Sequence, residues 1–220
     1  MNNLLNFLTE LEQNNNREWF NSNKNRFEQA KEEMLLLTET FINGIKHFDK
    51  AIAYTDAKDC LYRIYRDVRF SPDKRPYKTH LGCYIAPDGR KGILPGYYIH
   101  IQPGNSFIAG GMWNPPKDIL LAIRNEIADN GEEFLSIIND DEFKNHFPVM
   151  TGEKLKTTPK GFDKAHPHID LLRYKSFLFS KPLSDASLLN GSFLKGSLHA
   201  FEKLYKINYL FRNIIEERRE

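Results

Sequence analysis

Residues 60–82 read CLYRIYRDVRFSPDKRPYKTHLG and place basic, acidic and aromatic side chains close together along the chain. Apolar and charged residues alternate over residues 62–70, and a period of two is typical of a half-buried β-strand. Arg66 interrupts the alternation, so either the strand bends there or Arg66 has a specific partner. Residues 71–74 contain a proline and an aspartate suited to a turn. The stretch therefore predicts a strand with one charged face.

Further strands are predicted downstream of this segment. They occupy residues 79–86, 96–102 and 107–113, with turn sequences at residues 87–89 and 103–105. Short connections make consecutive strands antiparallel neighbours in a sheet. We therefore expect an antiparallel sheet in this part of the chain.

Amphipathic helices are predicted at both ends of the chain. Apolar residues recur at three- and four-residue spacing over residues 27–48, and a similar stripe follows in residues 197–217. Asn15, followed three residues later by Glu18, resembles a capping box that begins a helix. Both stripes are typical of helices that pack one face against a core.

The predicted fold is a single α+β domain over residues 1–220. Its parts are a helical segment at residues 1–50, the antiparallel sheet at residues 51–113, and a helical and loop part at residues 114–220. This last part returns to the sheet through a strand at residues 177–183. We expect about four to six strands, packed on one face by the long N- and C-terminal helices.

Composition argues against several classes of protein. A net charge of +2 gives little support for a polyanionic partner. The cysteines, Cys60 and Cys83, are too few for a disulfide framework and are expected to be reduced. The N-terminal sequence lacks a signal-peptide pattern, and no apolar run approaches the roughly 18 residues of a membrane span. We expect a cytoplasmic protein with no membrane partner, and the sequence leaves its oligomeric state open.

The charged face of the predicted sheet is the candidate site. If the register follows the alternation, that face carries Arg63, Asp67, Arg69, His80, Tyr84, Tyr98, His100 and Gln102. The opposite face, toward the helices, is expected to carry Tyr62, Ile64, Leu81, Cys83, Ile99 and Ile101. Arginine binds carboxylates and phosphates through its planar fork, and histidine and tyrosine exchange protons. A solvated face with Arg–Asp pairs has the same sequence pattern.

Roles follow from the chemistry of these side chains. The catalytic candidates are Asp67, His80 and His100, with Asp67 orienting the ligand or transferring a proton and the histidines donating protons. The ligand-binding candidates are Arg63, Arg66, Arg69, Lys74, Lys78 and Tyr98. Lys74 and Lys78 belong to a basic loop that either holds phosphates or is simply solvated.

Motifs for cofactors and metals are missing from the sequence. It contains no GxxxxGK[ST], GxGxxG, HExxH or GxSxG pattern. The sequence His166-Pro167-His168 is more typical of a turn than of a metal site, because no second pair of ligands has zinc-like spacing. We expect neither a cofactor nor a metal ion.

Several short motifs carry a family resemblance. They are REWF with NK at residues 17–24, RIYRDVRF-S-DK-PYKTH at 63–80, PGYYIH at 95–100, GGMW-P at 110–115 and PKGFD at 159–163. In this order, over nearly the whole chain, they resemble the domain-of-unknown-function family 2461. The resemblance implies no reaction, although the candidate site residues lie on the matched motifs.

The leading hypothesis is a cup of Arg, Asp, His and Tyr side chains that binds a small anion bearing a phosphate or carboxylate. The protein would then be a binding protein or an enzyme acting on such a metabolite. The first alternative is a nucleic-acid accessory module that stacks bases on Tyr65, Tyr77, Tyr84 or Tyr98. The second is a scaffold that binds another protein through the N-terminal helices.

Overall fold

The computed structural model describes residues 1–217, which contain nine α-helices and five β-strands. The helices are α1 (Asn2–Gln13), α2 (Arg17–Ser22), α3 (Lys24–Ile45), α4 (Ala57–Cys60), α5 (Lys117–Ile138), α6 (Asp141–His146), α7 (Ile169–Leu172), α8 (Asp185–Asn190) and α9 (Phe193–Glu216). The strands are β1 (Leu81–Ile85), β2 (Gly96–Ile101), β3 (Ser106–Met112), β4 (Met150–Thr151) and β5 (Phe177–Leu183).

The strands form one antiparallel sheet in the order β1-β2-β3-β5-β4. In its final pair, Met150 of β4 lies opposite Phe179 of β5. The predicted α+β class and the size of the sheet are confirmed. Among residues 1–217, no helix combines the length and the apolar character needed to cross a membrane.

The chain divides into two compact units. Unit 1 comprises Met1–Lys91, Tyr98–Ile108 and Pro182–Leu198, and unit 2 comprises Gly92–Tyr97, Ala109–Lys181 and the chain from His199 onward. That residues 1–220 form a single domain stays a prediction.

In unit 1, aromatic rings and α3 form the core. Phe20 packs against Phe27 with ring centroids 5.1 Å apart and stacks on Tyr77 at 3.9 Å. Helix α3 covers β1, and there Thr38 forms a hydrogen bond with the buried thiol of Cys83. The side chains predicted to face the helices are buried at Ile64, Leu81, Cys83, Ile99 and Ile101.

The two cysteines of unit 1 are buried free thiols. Burial is the main cause that raises the pKa of Cys60 to about 11 and that of Cys83 to about 12. Because the thiolate is the reactive form, thiols that stay protonated at neutral pH are poor nucleophiles. Their place in unit 1 is structural.

Residues 61–80 do not form the predicted strand. Only isolated bridges occur here, such as the one between Tyr65 and Tyr77, and regular pairing begins at Leu81. Pro76 has no N–H and therefore cannot donate a hydrogen bond to a strand ladder. The prediction of a strand over residues 62–70 is wrong. The charged side chains of this segment form local ion pairs and do not line one face of a sheet.

The side chain of Asn15 holds this irregular segment against the N-terminal helices. Asn15 Nδ2 donates to the carbonyl oxygen of Tyr77 at 3.0 Å, and the Tyr77 N–H donates to Asn15 Oδ1 at 3.1 Å. The capping role predicted for Asn15 is wrong. Asn16 caps α2 instead, with its Oδ1 accepting from the N–H of Trp19 at 2.9 Å. Asn15 does not cap α2 because its side-chain amide forms hydrogen bonds with the backbone of Tyr77.

In unit 2, α9 approaches β2 and β3 so closely that a buried asparagine reaches their backbone. Asn208 Nδ2 donates to the Gly96 carbonyl oxygen at 3.1 Å, and its Oδ1 accepts from the Gly111 N–H at 3.2 Å. Gly110 permits this approach, since a Cβ there would lie 2.2 Å from Leu204 Cδ2. Asn208 therefore joins the helix to two strands at once.

Helix α5 of unit 2 contains a kink at Asn130, where φ is −128° and ψ is 32°. The helix continues to Ile138 beyond this break in its regular geometry. A Cβ at Gly131 would lie 2.3 Å from His168 Cδ2, so glycine leaves room for that ring beside the kink.

Replacing Asn208 with Ala should lower the free energy of unfolding by about 2–6 kcal/mol. Two buried backbone groups lose their partners, and each unsatisfied group costs roughly 1–3 kcal/mol. Denaturant melts measure the change. Asn213→Ala, on the same helix but only half-buried, should cost less than about 1 kcal/mol. Equal losses in the two variants would contradict the role of Asn208.

Candidate functional site

Side chains at alternate positions of β2 build a hydrogen-bonded chain in unit 1. Tyr98 and His100 lie on the strand and Gln102 follows it, so all three share one face. Tyr98 Oη lies 2.9 Å from His100 Nδ1, and His100 Nε2 lies 3.1 Å from Gln102 Oε1. These side chains, with Tyr62, Lys78 and His80, form what we call the polar cluster.

The hydrogen bonds fix the proton positions in this chain. Gln102 Nε2 donates to Thr79 Oγ1 at 3.4 Å, so the amide oxygen of Gln102 faces His100 and accepts a proton from Nε2. His100 Nδ1 then carries a lone pair and accepts from the Tyr98 hydroxyl. Burial lowers the pKa of His100 and raises that of Tyr98, which favours this neutral pair. The arrangement is a path for one proton from Tyr98 Oη to His100 Nδ1.

His80 stacks against this chain. Its ring centroid lies 4.2 Å from that of His100, and the other face of His100 stacks on Phe107 at 4.6 Å. Burial, followed by the charges of His100 and Lys78, lowers the pKa of His80 to about 4. Both imidazoles are neutral near pH 7, and each can accept a proton from a bound molecule.

Two basic side chains lie at the edge of the polar cluster. Lys78 Nζ lies 5.5 Å from the ring centroid of Tyr62, in the geometry of a cation–π contact. Burial is the main cause that lowers the pKa of Lys78, and the charge of the exposed Arg63 adds to it. Among residues 1–217, neither Lys78 nor Arg63 has an acidic partner in an ion pair. An anion placed here would meet two basic groups.

Tyr62 belongs to the polar cluster and not to the helix-covered face. Its ring centroid lies 6.2 Å from that of Tyr98, and 37% of its surface is exposed. Its predicted position is wrong because the segment before β1 is irregular and does not keep strand alternation. Gly82 makes room for this arrangement, since a Cβ there would lie 2.8 Å from Tyr98 Oη.

The remaining predicted site residues lie on an exposed loop and pair with one another. Arg69 and Asp67 form an ion pair at 2.6 Å, and Asp73 accepts from Arg66 at 2.7 Å and from Arg75 at 2.8 Å. The side chain of Lys74 donates to the carbonyl oxygen of Val68 at 3.1 Å.

These loop contacts separate two groups of predicted residues. The hydrogen bonds of Arg69 lower the pKa of Asp67, so Asp67 stays ionised and is a poor proton donor. No contact joins Asp67, Arg69, Arg66 or Lys74 to the polar cluster within the described part of the chain. The structure therefore brings together Lys78, His80, Tyr98 and His100 with Arg63 nearby, and it places the other four on the loop.

The sequence did not single out two contributors to the site. Thr79 fixes the orientation of the Gln102 amide, and Phe107 supports the His100 ring. Phe107 was placed on the strand predicted at residues 107–113, but nothing in its spacing indicates a ring stacked on a histidine. Elsewhere, His166 Nδ1 accepts from the backbone N–H of His168, in agreement with a turn. Residues 1–217 contain no group of three His, Cys, Asp or Glu arranged to hold a metal ion.

The stability of the protein should fall as pH drops from about 6.5 to about 4, in part because of His80. The unfolded chain protonates His80 near its ordinary value of 6.5, whereas the folded protein protonates it near 4. The neutral ring therefore favours folding above the unfolded pKa, and this advantage is lost by the time the folded pKa is reached. Allowing for solvent screening, the loss is roughly 1–3 kcal/mol.

Urea melts across this pH range measure the loss in wild type and in His80→Gln. The variant should show a shallower decline, since all other titrating groups are shared. Parallel declines would show that His80 does not titrate differently in the two states.

The chain was compared with protein families, curated proteins and solved structures. A family model described as conserved hypothetical protein (DUF2461) matches residues 3–209. No curated protein and no solved structure gives a significant match. The matched range contains the loop of ion pairs and the whole polar cluster. Because it also covers most of the sequence, the chain belongs to the DUF2461 family, as its short motifs predicted.

Proposed function

We propose that the polar cluster binds a small anion bearing a phosphate or carboxylate group, and that Tyr98 and His100 exchange a proton with it. One observation carries the proposal. Lys78 is half-buried against an aromatic ring, beside Arg63 and two neutral histidines, and no carboxylate among residues 1–217 forms an ion pair with it. Buried charges are usually paired, so a site of this kind favours an anionic ligand.

The anion would lie against Lys78 and Arg63, within reach of His80. Its negative charge favours the protonated form of a nearby imidazole, so binding raises the pKa of His80 from its low value. His80 then gains a proton and adds a third positive group to the site. The ligand supplies the counter-charge that the protein lacks.

Proton transfer would use the hydrogen bond between Tyr98 and His100. As the Tyr98 hydroxyl proton moves to His100 Nδ1, Tyr98 Oη accepts a proton from the ligand. The ligand loses one proton, Tyr98 is restored and His100 becomes an imidazolium. Burial disfavours that imidazolium, and a bound anion offsets the cost. This step would make the protein an acid–base enzyme.

The alternatives have less support. Arg66, Arg69 and Arg75 are paired with aspartates, which leaves few charges for nucleic-acid phosphates. Tyr77 is buried against Phe20 and cannot stack on a base. No observation favours a scaffold that binds through the N-terminal helices. The cytoplasmic location stays a prediction.

A thermal-shift panel of phosphate, pyrophosphate, nucleotides, sugar phosphates and dicarboxylates should contain a compound that raises the melting temperature. At a hundredfold excess over its Kd, a ligand stabilises the folded state by about 2.7 kcal/mol. For a chain of this size the rise is roughly 5–11 °C. Lys78→Gln should abolish the rise without lowering the melting temperature of the free protein.

Lys24→Gln is the matched control, because Lys24 is an exposed lysine of unit 1 on α3, away from the polar cluster. This variant should retain the full rise. The proposal fails if no compound exceeds a general salt effect, or if both variants respond like wild type.

A further inference from the structure

A lysine of unit 2 has a histidine as its hydrogen-bond partner. Lys181 lies on β5 and is half-buried, and its Nζ lies 2.8 Å from Nδ1 of His146 at the end of α6. Other lysines of the same unit pair with carboxylates. Lys175 lies 2.6 Å from Glu153, and Lys203 pairs with Glu142. Among the residues that the structure describes, Lys181 therefore has no carboxylate partner of the kind that Lys175 and Lys203 have.

The surroundings of this pair are rich in basic groups. The His199 ring centroid lies 5.1 Å from that of His146, and His199 and Lys203 lie one turn apart on α9. The nearby acids already have partners, since Glu142 pairs with Lys203 and Glu202 lies 3.5 Å from His199 Nδ1. These are the charged groups that face the pair from α6 and α9.

The surroundings of the pair act against the charged form of each side chain. Burial lowers the pKa of Lys181, and burial together with the charges of Lys181, His199 and Lys203 lowers that of His146. An imidazole whose Nδ1 accepts from Lys181 carries its own hydrogen on Nε2. His146 Nδ1 is then placed to take a proton from the ammonium group of Lys181. The product of that transfer is a free amine beside positive charges.

We propose that Lys181 is an activated amine that forms a Schiff base with small carbonyl compounds bearing an anionic group. An amine attacks a carbonyl only in its deprotonated form, and its partner here is a base instead of a carboxylate. Lys203, which also pairs with Glu142, is the nearby cation that would attract the anionic group of the substrate. This site is separate from the polar cluster of unit 1, and the proposal does not rest on the function proposed for that cluster.

The reaction conserves atoms and charge. His146 Nδ1 takes a proton from Lys181, and the lone pair of Nζ forms a bond to the carbonyl carbon while the carbon–oxygen π electrons move to oxygen. Nζ loses a second proton and the oxygen gains one, which gives a neutral carbinolamine. His146 returns its proton to this hydroxyl, water leaves, and the nitrogen lone pair forms the C=N bond of a protonated imine.

The intrinsic reactivity of Lys181 tests the first part of the proposal. Wild-type protein is labelled briefly with acetic anhydride at about pH 7, and mass spectrometry measures the initial rate at each lysine. Lys181 should react severalfold faster than Lys175, the half-buried lysine that pairs with Glu153, since a lowered pKa raises the fraction of free amine at a given pH. An equal or slower rate at Lys181 overturns the proposal.

Reductive trapping tests the Schiff base. Glyoxylate, which carries an aldehyde and a carboxylate, is added with cyanoborohydride, and the reduced adduct is mapped by mass spectrometry. Lys181 should be the principal site of modification in the wild-type protein. Adducts spread evenly over the exposed lysines, or absent from Lys181, would contradict the proposal.

A variant separates the role of the histidine from simple accessibility. His146→Glu gives Lys181 the carboxylate partner that Lys175 has, so trapping at Lys181 should fall by about tenfold or more. His47→Glu places the same substitution on an exposed histidine of unit 1 and should leave trapping at Lys181 unchanged. Unchanged trapping in His146→Glu would rule out activation by His146. If that variant does not fold, the two wild-type experiments decide.

Discussion

Burial of basic side chains without acidic partners is the constraint that determines the chemistry of this protein. In the polar cluster, Lys78, His80 and His100 lie against aromatic rings, and the hydrogen bonds of His100 go to tyrosine and glutamine. Desolvation favours the neutral form of a base, and each neighbouring base adds to the effect. His80 and His100 are therefore proton acceptors at neutral pH, where an imidazole in water would be partly charged.

The exposed loop shows the opposite arrangement. There each aspartate accepts hydrogen bonds from arginine, and these bonds lower the pKa of Asp67 and Asp73. Exposed ion pairs of this kind contribute little to stability, but they keep the loop charges balanced and ionised. Two adjacent parts of unit 1 thus differ in proton chemistry because one buries its bases and the other pairs them in solvent.

The regular elements of the fold can be predicted because the spacing of hydrophobic residues is set within each short stretch of sequence. The strands near residues 96–102, 107–113 and 177–183 and the long terminal helices appear where the pattern predicts them. The segment before β1 differs because its conformation depends on a partner 62 residues away in sequence, the amide of Asn15. No local pattern contains that contact.

The candidate site also has a part that local spacing predicts and a part that depends on long-range contacts. Period two places Tyr98, His100 and Gln102 on one face, and the structure confirms that they share it. The same reasoning misplaced Tyr62 and grouped Asp67 and Arg69 with the histidines, because it assumed a strand where the chain is irregular. Contacts such as Lys181 with His146 join distant parts of the chain, and sequence spacing gives no signal for them.

The double hydrogen bond between Asn15 and Tyr77 also has a consequence for how the molecule can change over time. It closes the base of the loop that carries Phe70. This residue lies at the outer end of the loop and is 95% exposed. A loop with a fixed base can vary in length and composition at its tip at little cost to the fold, because loop-closure entropy grows slowly with length. Sequence changes and insertions are therefore tolerated best in the loop between Tyr65 and Tyr77. Residues outside this loop are constrained because they pack against the core.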